Sequence, residues 1–208
     1  MRRFFLPILI LSTAAQTNAQ IMQQRYQFGA PSVWVTAGAG FQDSWAVNDG
    51  TTGSQWQFGT STQYAASLEK SVSNGVNFGV RGTTASVPMT YSGLAGPIDA
   101  DANVSQVFAT VHAASGGQFH TLLEISGGTT IYSKFQARGS GAKLGTDSPG
   151  SDFTYAFGYG AGFALAPSFV LDVVRENTTA KHSDTGLAAG SDTKSRWSTT
   201  RLVARIGF

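Results

Sequence analysis

The chain has 208 residues, of which 12% are charged and none is cysteine. Soluble proteins average about 25% charged residues, so this composition disfavours an ordinary water-exposed surface. The absence of cysteine excludes disulfide bonds, thiolate metal ligands and cysteine catalysis.

The N-terminus has the features of a cleaved export signal. Arg2 and Arg3 precede the apolar run 4–11, and small and polar residues follow up to Ala19. The apolar run is too short to span a membrane as a helix, which needs about 20 residues. We expect a signal peptide over residues 1–19 and one exported domain over residues 20–208. Losing both arginines lowers the formal net charge from +2 to zero, so we expect no nucleic-acid partner.

Eight later segments alternate apolar and polar residues with the period of two that is typical of β-strands. In chain order they are 33–41, 56–68, 76–86, 103–113, 119–137, 153–165, 169–176 and 196–208. None of them is a continuous apolar span, so crossing a membrane would require a closed barrel. The pattern predicts an all-β protein, a closed eight-stranded antiparallel up-and-down transmembrane β-barrel.

The connections between these segments alternate between short and long. We predict three-residue turns at 73–75, 115–117 and 166–168, because facing residues in a hairpin must point to the same side of the sheet. In this register Val72 faces Val76, Ala113 faces Phe119, Leu165 faces Phe169, and His112 lies opposite His120. The long connections are rich in Gly, Ser, Thr and Asp, and lie near 42–54, 87–102, 138–151 and 177–195. Outer-membrane barrels combine short periplasmic turns with long external loops.

Alternation alone does not decide which face is outside. If the aromatic and aliphatic face is outside, four acids and three arginines point inward, where they can neutralise one another. This interior charge cluster consists of Glu69, Arg81, Glu124, Asp172, Glu176, Arg201 and Arg205. The aromatic residues predicted to face lipid are Trp56, Phe58, Phe153, Tyr155, Phe157, Tyr159 and Phe163. The inverse arrangement, a soluble lipocalin-like binding barrel, stays open but would have few lysines to protect its surface.

The last strand ends on an aromatic residue, Phe208, with apolar residues at the alternate positions Leu202, Ala204 and Ile206. This ending resembles the C-terminal assembly signal of bacterial outer-membrane barrels, although that family often has Tyr where Ile206 stands. The pattern and length of the exported chain resemble the small eight-stranded family typified by OmpA-type, OmpX-type and opacity-type barrels. The resemblance implies a Gram-negative outer-membrane location, contact with outer-membrane lipids, and recognition by the barrel-assembly machinery during insertion.

The residues most able to indicate chemistry do not form a recognisable site in the sequence. His112 and His120 are too few for a zinc site, which normally has about four ligands. The glycine-rich stretch 158–162 has the alternation of a strand and no following helix, so it is not a nucleotide-binding loop. We therefore expect no catalytic residue, no metal and no cofactor.

The function that we expect is structural or interactive, because the long external connections are the segments free of the alternating constraint. The sequence does not identify the external ligand. A lipid A-modifying outer-membrane enzyme remains an alternative, and it would need a fixed His and Ser near the outer leaflet. His182, Ser183 and Asp184 are adjacent in one loop, and adjacent residues do not by themselves form a Ser/His/Asp constellation.

Overall fold

The computed structural model describes residues 31–49, 53–93, 96–144, 150–182 and 193–208. The predicted signal peptide lies outside these residues. Ten strands are present: β1 (Val33–Gln42), β2 (Trp45–Asp49), β3 (Ser54–Phe58), β4 (Ser61–Ser73), β5 (Val76–Gly93), β6 (Gly96–Ala114), β7 (Phe119–Ala137), β8 (Ser151–Ala166), β9 (Phe169–Lys181) and β10 (Lys194–Gly207). Among the described residues, no helix is long and apolar enough to cross a bilayer.

All of the strands except β2 and β3 form a closed antiparallel ring. Each of these eight strands pairs with its neighbours in the chain, and β1 closes the ring by pairing with β4 on one side and β10 on the other. Closure pairs the backbone N–H and C=O groups that would remain unpaired at the edges of an open sheet. The predicted eight-stranded antiparallel up-and-down barrel is confirmed.

Two of the predicted long loops are wrong, because both segments are β-hairpins that extend the wall. In the segment predicted as a loop at 42–54, β2 and β3 pair with each other, and β3 pairs with the far end of β5. The β5–β6 ladder continues to Gly93 opposite Gly96, through the segment predicted as a loop at 87–102. The polar composition of these segments led to the loop prediction. Strands pair through backbone hydrogen bonds, which do not require an apolar face.

The turns at the opposite end differ in detail from their prediction. At 73–75 and 166–168 the predicted three-residue turns are wrong: the turns have two residues, with a bulge on the preceding strand. The register beyond each bulge is the predicted one. Asn74-Gly75 forms the first turn, where Gly75 has a φ of 71°, a conformation that glycine adopts without strain.

The third turn has a different register from the predicted one. Ala113 faces Leu123, not Phe119, and Ser115 donates its backbone N–H to Thr121. His112 therefore lies opposite Glu124, so the predicted pairing of His112 with His120 is wrong. The shift keeps the parity of β7, so the same residues still point inward.

The two faces of the wall have opposite chemistry. Large apolar side chains are exposed on the outside, as at Tyr64, Val80 and Ile125, whereas the seven residues of the predicted interior charge cluster are buried inside. This excludes the soluble lipocalin-like arrangement, which would bury the apolar face. The short turns lie at the end where Ser32 donates its backbone N–H to Phe208, and we call this end periplasmic by the usual asymmetry of such barrels.

Candidate functional site in the barrel interior and at its external end

The centre of the lumen is occupied by a ring of four charged side chains that come from four different strands. Arg81 Nη1 lies 2.8 Å from Glu124 Oε2, and Arg201 Nη1 lies 2.9 Å from Glu176 Oε2. The ring is completed by the ion pairs of Arg81 with Glu176 and of Arg201 with Glu124. No member is more than 6% exposed. Each arginine therefore contacts both carboxylates, which is the arrangement that offsets the desolvation cost of buried charges.

A second group of charges lies beside this ring, toward the periplasmic end. Arg205 Nη2 lies 2.8 Å from Glu69 Oε2, and Arg205 Nε lies 3.7 Å from Asp172. His120 Nε2 lies 2.9 Å from the same aspartate, and His112 Nδ1 lies 3.1 Å from the ring carboxylate Glu124. The structure thus places all seven residues of the predicted interior charge cluster inside the barrel.

The pairs within that cluster do not follow adjacency along the wall. Glu69 is diagonal to Arg81 in the β4–β5 ladder, but its ion pair is with Arg205. Asp172 lies one strand from Arg201, but it contacts His120 and Arg205. Long arginine side chains reach across a narrow lumen, so barrel closure decides the partners more than adjacency along the wall does.

A belt of uncharged polar side chains lies on the external side of the ring. Gln63 Nε2 donates to Gln42 at 3.1 Å and is within 3.3 Å of Gln106, whose own Nε2 donates to Thr130 at 3.2 Å. Thr130 and Thr154 hydroxyls are 2.7 Å apart. The belt crosses several strands of the barrel and fills this level of the lumen with amides and hydroxyls.

Above this belt, the lumen is closed by an aromatic layer. Trp45 stacks on Phe58 with ring centroids 4.5 Å apart and on Trp197 with centroids 4.8 Å apart. Tyr132 is fully buried, and its ring lies 6.2 Å from that of Phe58. The other buried members are Val47, Ala85, Val87, Met89, Ala100, Ala102, Val104 and Ala180.

The predictions that Trp56 and Phe58 face lipid are wrong. Phe58 is 1% exposed and belongs to the aromatic layer, while Trp56 packs against Tyr91 and Phe135 on the same inner side. The strand predicted over 56–68 is interrupted at Gly59 and Thr60. Side chains alternate between the two faces only along an unbroken strand. Because Gly59 and Thr60 separate β3 from β4, the alternation of β4 does not continue into β3, and Phe58 points inward.

The other predicted outward aromatics lie on the outer surface. Phe153, Tyr155, Phe157, Tyr159 and Phe163 are all exposed on β8. The residues of the predicted assembly signal lie on the closing strand, where Leu202, Ile206 and Phe208 are exposed and Ala204 is half-buried. Phe208 donates its backbone N–H to Val33, so the terminal residue takes part in the seam that closes the barrel.

A cavity of about 560 Å³ lies at the external end, where the β2–β3 hairpin meets β5 and β6. Its lining includes apolar side chains of Trp45, Phe58 and Met89 and polar groups of Gln57, Thr90, Asp99 and Arg138. Beside it, Arg138 Nη2 donates to Asp101 at 2.7 Å. This hydrogen bond holds the pKa of the Asp101 carboxyl below its usual value. The cavity could not be predicted from the sequence, because its lining residues come from one predicted strand and three predicted loops.

His182 has a partner that sequence spacing did not indicate. Its Nδ1 lies 2.6 Å from Asp152 Oδ2, and both side chains are fully buried. Ser183 and Asp184 lie outside the described residues. Among the described residues no group hydrogen-bonds to His182 Nε2, so these residues assemble no nucleophile–base pair there. The described chain also contains no group of three or more His, Asp or Glu residues able to hold a metal ion.

No protein-family model and no curated protein matches the chain. Solved structures do match it. Neisserial surface protein A is 16% identical, with 86% of this chain and 99% of that chain covered and a TM-score of 0.57. The outer membrane protein OprG from Pseudomonas aeruginosa is 14% identical, with coverages of 86% and 94% and a TM-score of 0.53. This chain has the fold of a small outer-membrane β-barrel.

The outer-membrane barrel fold says nothing further about activity. The outer membrane protease OmpT from Escherichia coli also matches, at 9% identity and a TM-score of 0.42, too distantly to carry an argument. Location follows from the chain's own surface: a closed barrel with an apolar exterior and charged interior is the β architecture that can cross a bilayer. The protein is an integral outer-membrane β-barrel.

Proposed function

We propose that this outer-membrane barrel has a non-enzymatic interaction role, carried by the hairpins and loops at its external end. The filled lumen is the observation that supports this proposal. An ion-pair ring, a belt of amides and hydroxyls and an aromatic layer follow one another along the axis. Buried side chains thus occupy the lumen at three successive levels, which supports an interaction role over transport.

The external hairpins offer a surface on which a partner can bind. The β2–β3 hairpin and the far part of β5–β6 line an open cavity of about 560 Å³, which is within the usual range of about 300–1,000 Å³ for ligand sites. Its aromatic floor and its arginine rim belong to the residue types enriched at binding surfaces. Loops and hairpins on a rigid scaffold are also where binding residues concentrate.

Planar-bilayer recording tests the closed lumen that the proposal needs. We expect the purified protein to give no stable conductance above that of a protein-free bilayer. A reproducible, ion-selective conductance would contradict an interaction role based on a filled barrel. Lipid A extracted from cells with and without the protein should have the same mass spectrum, and an altered acyl count would show an enzyme instead.

In-cell photocrosslinking tests the external surface. A benzoylphenylalanine placed at Gln57, an exposed residue of the cavity, should give a specific adduct, whereas the same group at Val173 on the lipid-facing wall should not. A variant in which the hairpin 88–101 is shortened to a turn should fold and lose the Gln57 adduct. Equal adducts at both positions, or an adduct unchanged by shortening, would argue against the hairpins.

A further inference from the structure

Three basic side chains meet on the outer face of β9 and β10 at their external ends. Lys181 lies directly opposite Lys194 in the ladder, and Arg196 is the next outward residue along β10. All three are exposed. Like charges directly opposite each other destabilise a sheet, so this arrangement favours an anion between them.

The acids of the outer face do not supply that anion among the described residues. Asp43 pairs with Arg175 at 2.5 Å and Asp101 pairs with Arg138 at 2.7 Å, and no described acid pairs with the three basic residues. Lys181 lies over an aromatic ring, with its Nζ 5.9 Å from the Tyr155 ring centroid. None of the described acids therefore neutralises the charge of the patch.

The patch lies at the level of a membrane interface. On its β8 side, Lys181 faces Phe153, the last outward aromatic residue of that strand. Lower on the same ladder, Val173 faces Leu202, and both are more than half exposed, as expected of a wall in hydrocarbon. Exposed aromatic residues mark the boundary between hydrocarbon and headgroups. The basic side chains thus lie where the headgroups of the outer leaflet begin.

The residues between these two levels are suited to a sugar-bearing headgroup. The outward positions between the apolar wall and the lysines include Asn177, Ser198 and Thr200. Ser198 donates to Asn177 at 2.9 Å, and Arg175 donates to Thr200 at 2.8 Å. Amides and hydroxyls on an outward face would be unfavourable against acyl chains, whereas they can hydrogen-bond sugar hydroxyls.

We propose that Lys181, Lys194 and Arg196 form a binding site for the phosphate groups of the phosphorylated glycolipid in the outer leaflet. Lysine and arginine are the usual phosphate ligands, and bonds between their charged groups and phosphate oxygens are among the stronger hydrogen bonds in proteins. The phosphate would lie between the two lysines and remove their repulsion. This site depends on the membrane location of the barrel and not on the role of the external hairpins, so failure of the crosslinking experiment leaves it intact.

Lipid retention measured by native mass spectrometry tests the site. The detergent-solubilised full-length barrel is titrated with diphosphoryl lipid A, with its dephosphorylated form, and with inorganic phosphate. A basic residue near an anionic lipid surface contributes about 1 kcal/mol, so we expect the K181Q/K194Q variant to bind diphosphoryl lipid A on the order of 30-fold more weakly. A K70Q/K134Q variant removes the same charge at exposed lysines elsewhere and should bind like the wild type.

The expected pattern is tight binding of diphosphoryl lipid A by the wild type and the control, and weak binding of the dephosphorylated form by every variant. Heat-modifiable electrophoretic mobility checks that each variant is folded, as is expected for exposed substitutions. Equal binding by K181Q/K194Q and wild type would overturn the site. Equal losses in the control, equal affinity for dephosphorylated lipid A, or equal affinity for inorganic phosphate would overturn the phosphate-lipid assignment.

Discussion

Replacing Arg201 by Met removes one member of the charged ring while keeping an unbranched side chain of similar length. Arg201 contacts Glu124 and Glu176, and it is 3% exposed. Without it, both carboxylates share Arg81, and the interior charge cluster retains four acids against two arginines. Breaking a buried ion pair by removing one partner costs about 3–5 kcal/mol, and we expect a loss of that size in the free energy of unfolding.

Urea unfolding in lipid vesicles, followed by tryptophan fluorescence, measures this loss. With a slope of about 1–3 kcal/mol per molar urea, the unfolding midpoint should fall by at least about 1 M. The double variant R201M/E124Q leaves Arg81 paired with Glu176 and should recover more than half of the loss, because the two changes are coupled.

A matched control is Arg175→Met, which removes a partly exposed ion pair with Asp43, the residue that follows β1. Exposed pairs contribute about 0–1 kcal/mol, so the control should shift the midpoint little. If R201M costs no more than this control, or if adding E124Q increases the loss, the four charges do not stabilise the barrel as a buried, mutually neutralising ring.

Three further predictions test other parts of the barrel. A Cβ at Gly162 would lie 1.8 Å from Asp172 Oδ1 and 2.5 Å from His120 Nε2, so G162A should disrupt their bond and cost about 1–3 kcal/mol by overpacking; G127A, with open space around its Cβ, should unfold like wild type. R138Q should raise the pKa of Asp101 toward its ordinary value, because Arg138 holds it down. Carboxyl chemical shifts titrated by NMR would show this, and an unchanged titration would contradict it. Deleting Phe208 should lower the inserted yield far more than deleting Gly141 from an external connection, and equal yields would count against the assembly signal.

Much of the wall was predictable because alternation is a local property of a strand. The inward position of Glu124 or Arg201 depends only on parity along an unbroken ladder, and it survives the shifted register of the turn at 115–118. The outward row on β8 follows in the same way. The face on which such a residue lies can be predicted without knowing which strand lies opposite.

The interior contacts were not predictable, because they depend on closure and on local breaks. Arg81 reaches Glu124 and Glu176 across the lumen, and no spacing along the chain encodes that distance. The break at Gly59 and Thr60 turns the Phe58 side chain inward, where it packs in the aromatic layer at the external side. An interruption of two residues has no compositional signature strong enough to override a continuous apolar pattern.

Thiol accessibility at Thr130 tests the filled lumen most directly, since the natural chain has no cysteine to interfere. Thr130 is fully buried in the polar belt between the charged ring and the aromatic layer. In vesicles, T130C should stay unlabelled by a membrane-impermeant, water-soluble maleimide added to both sides, while Q57C at the exposed rim reacts. Rapid labelling of T130C in the folded barrel would show that water and solutes reach the interior and would contradict a filled lumen.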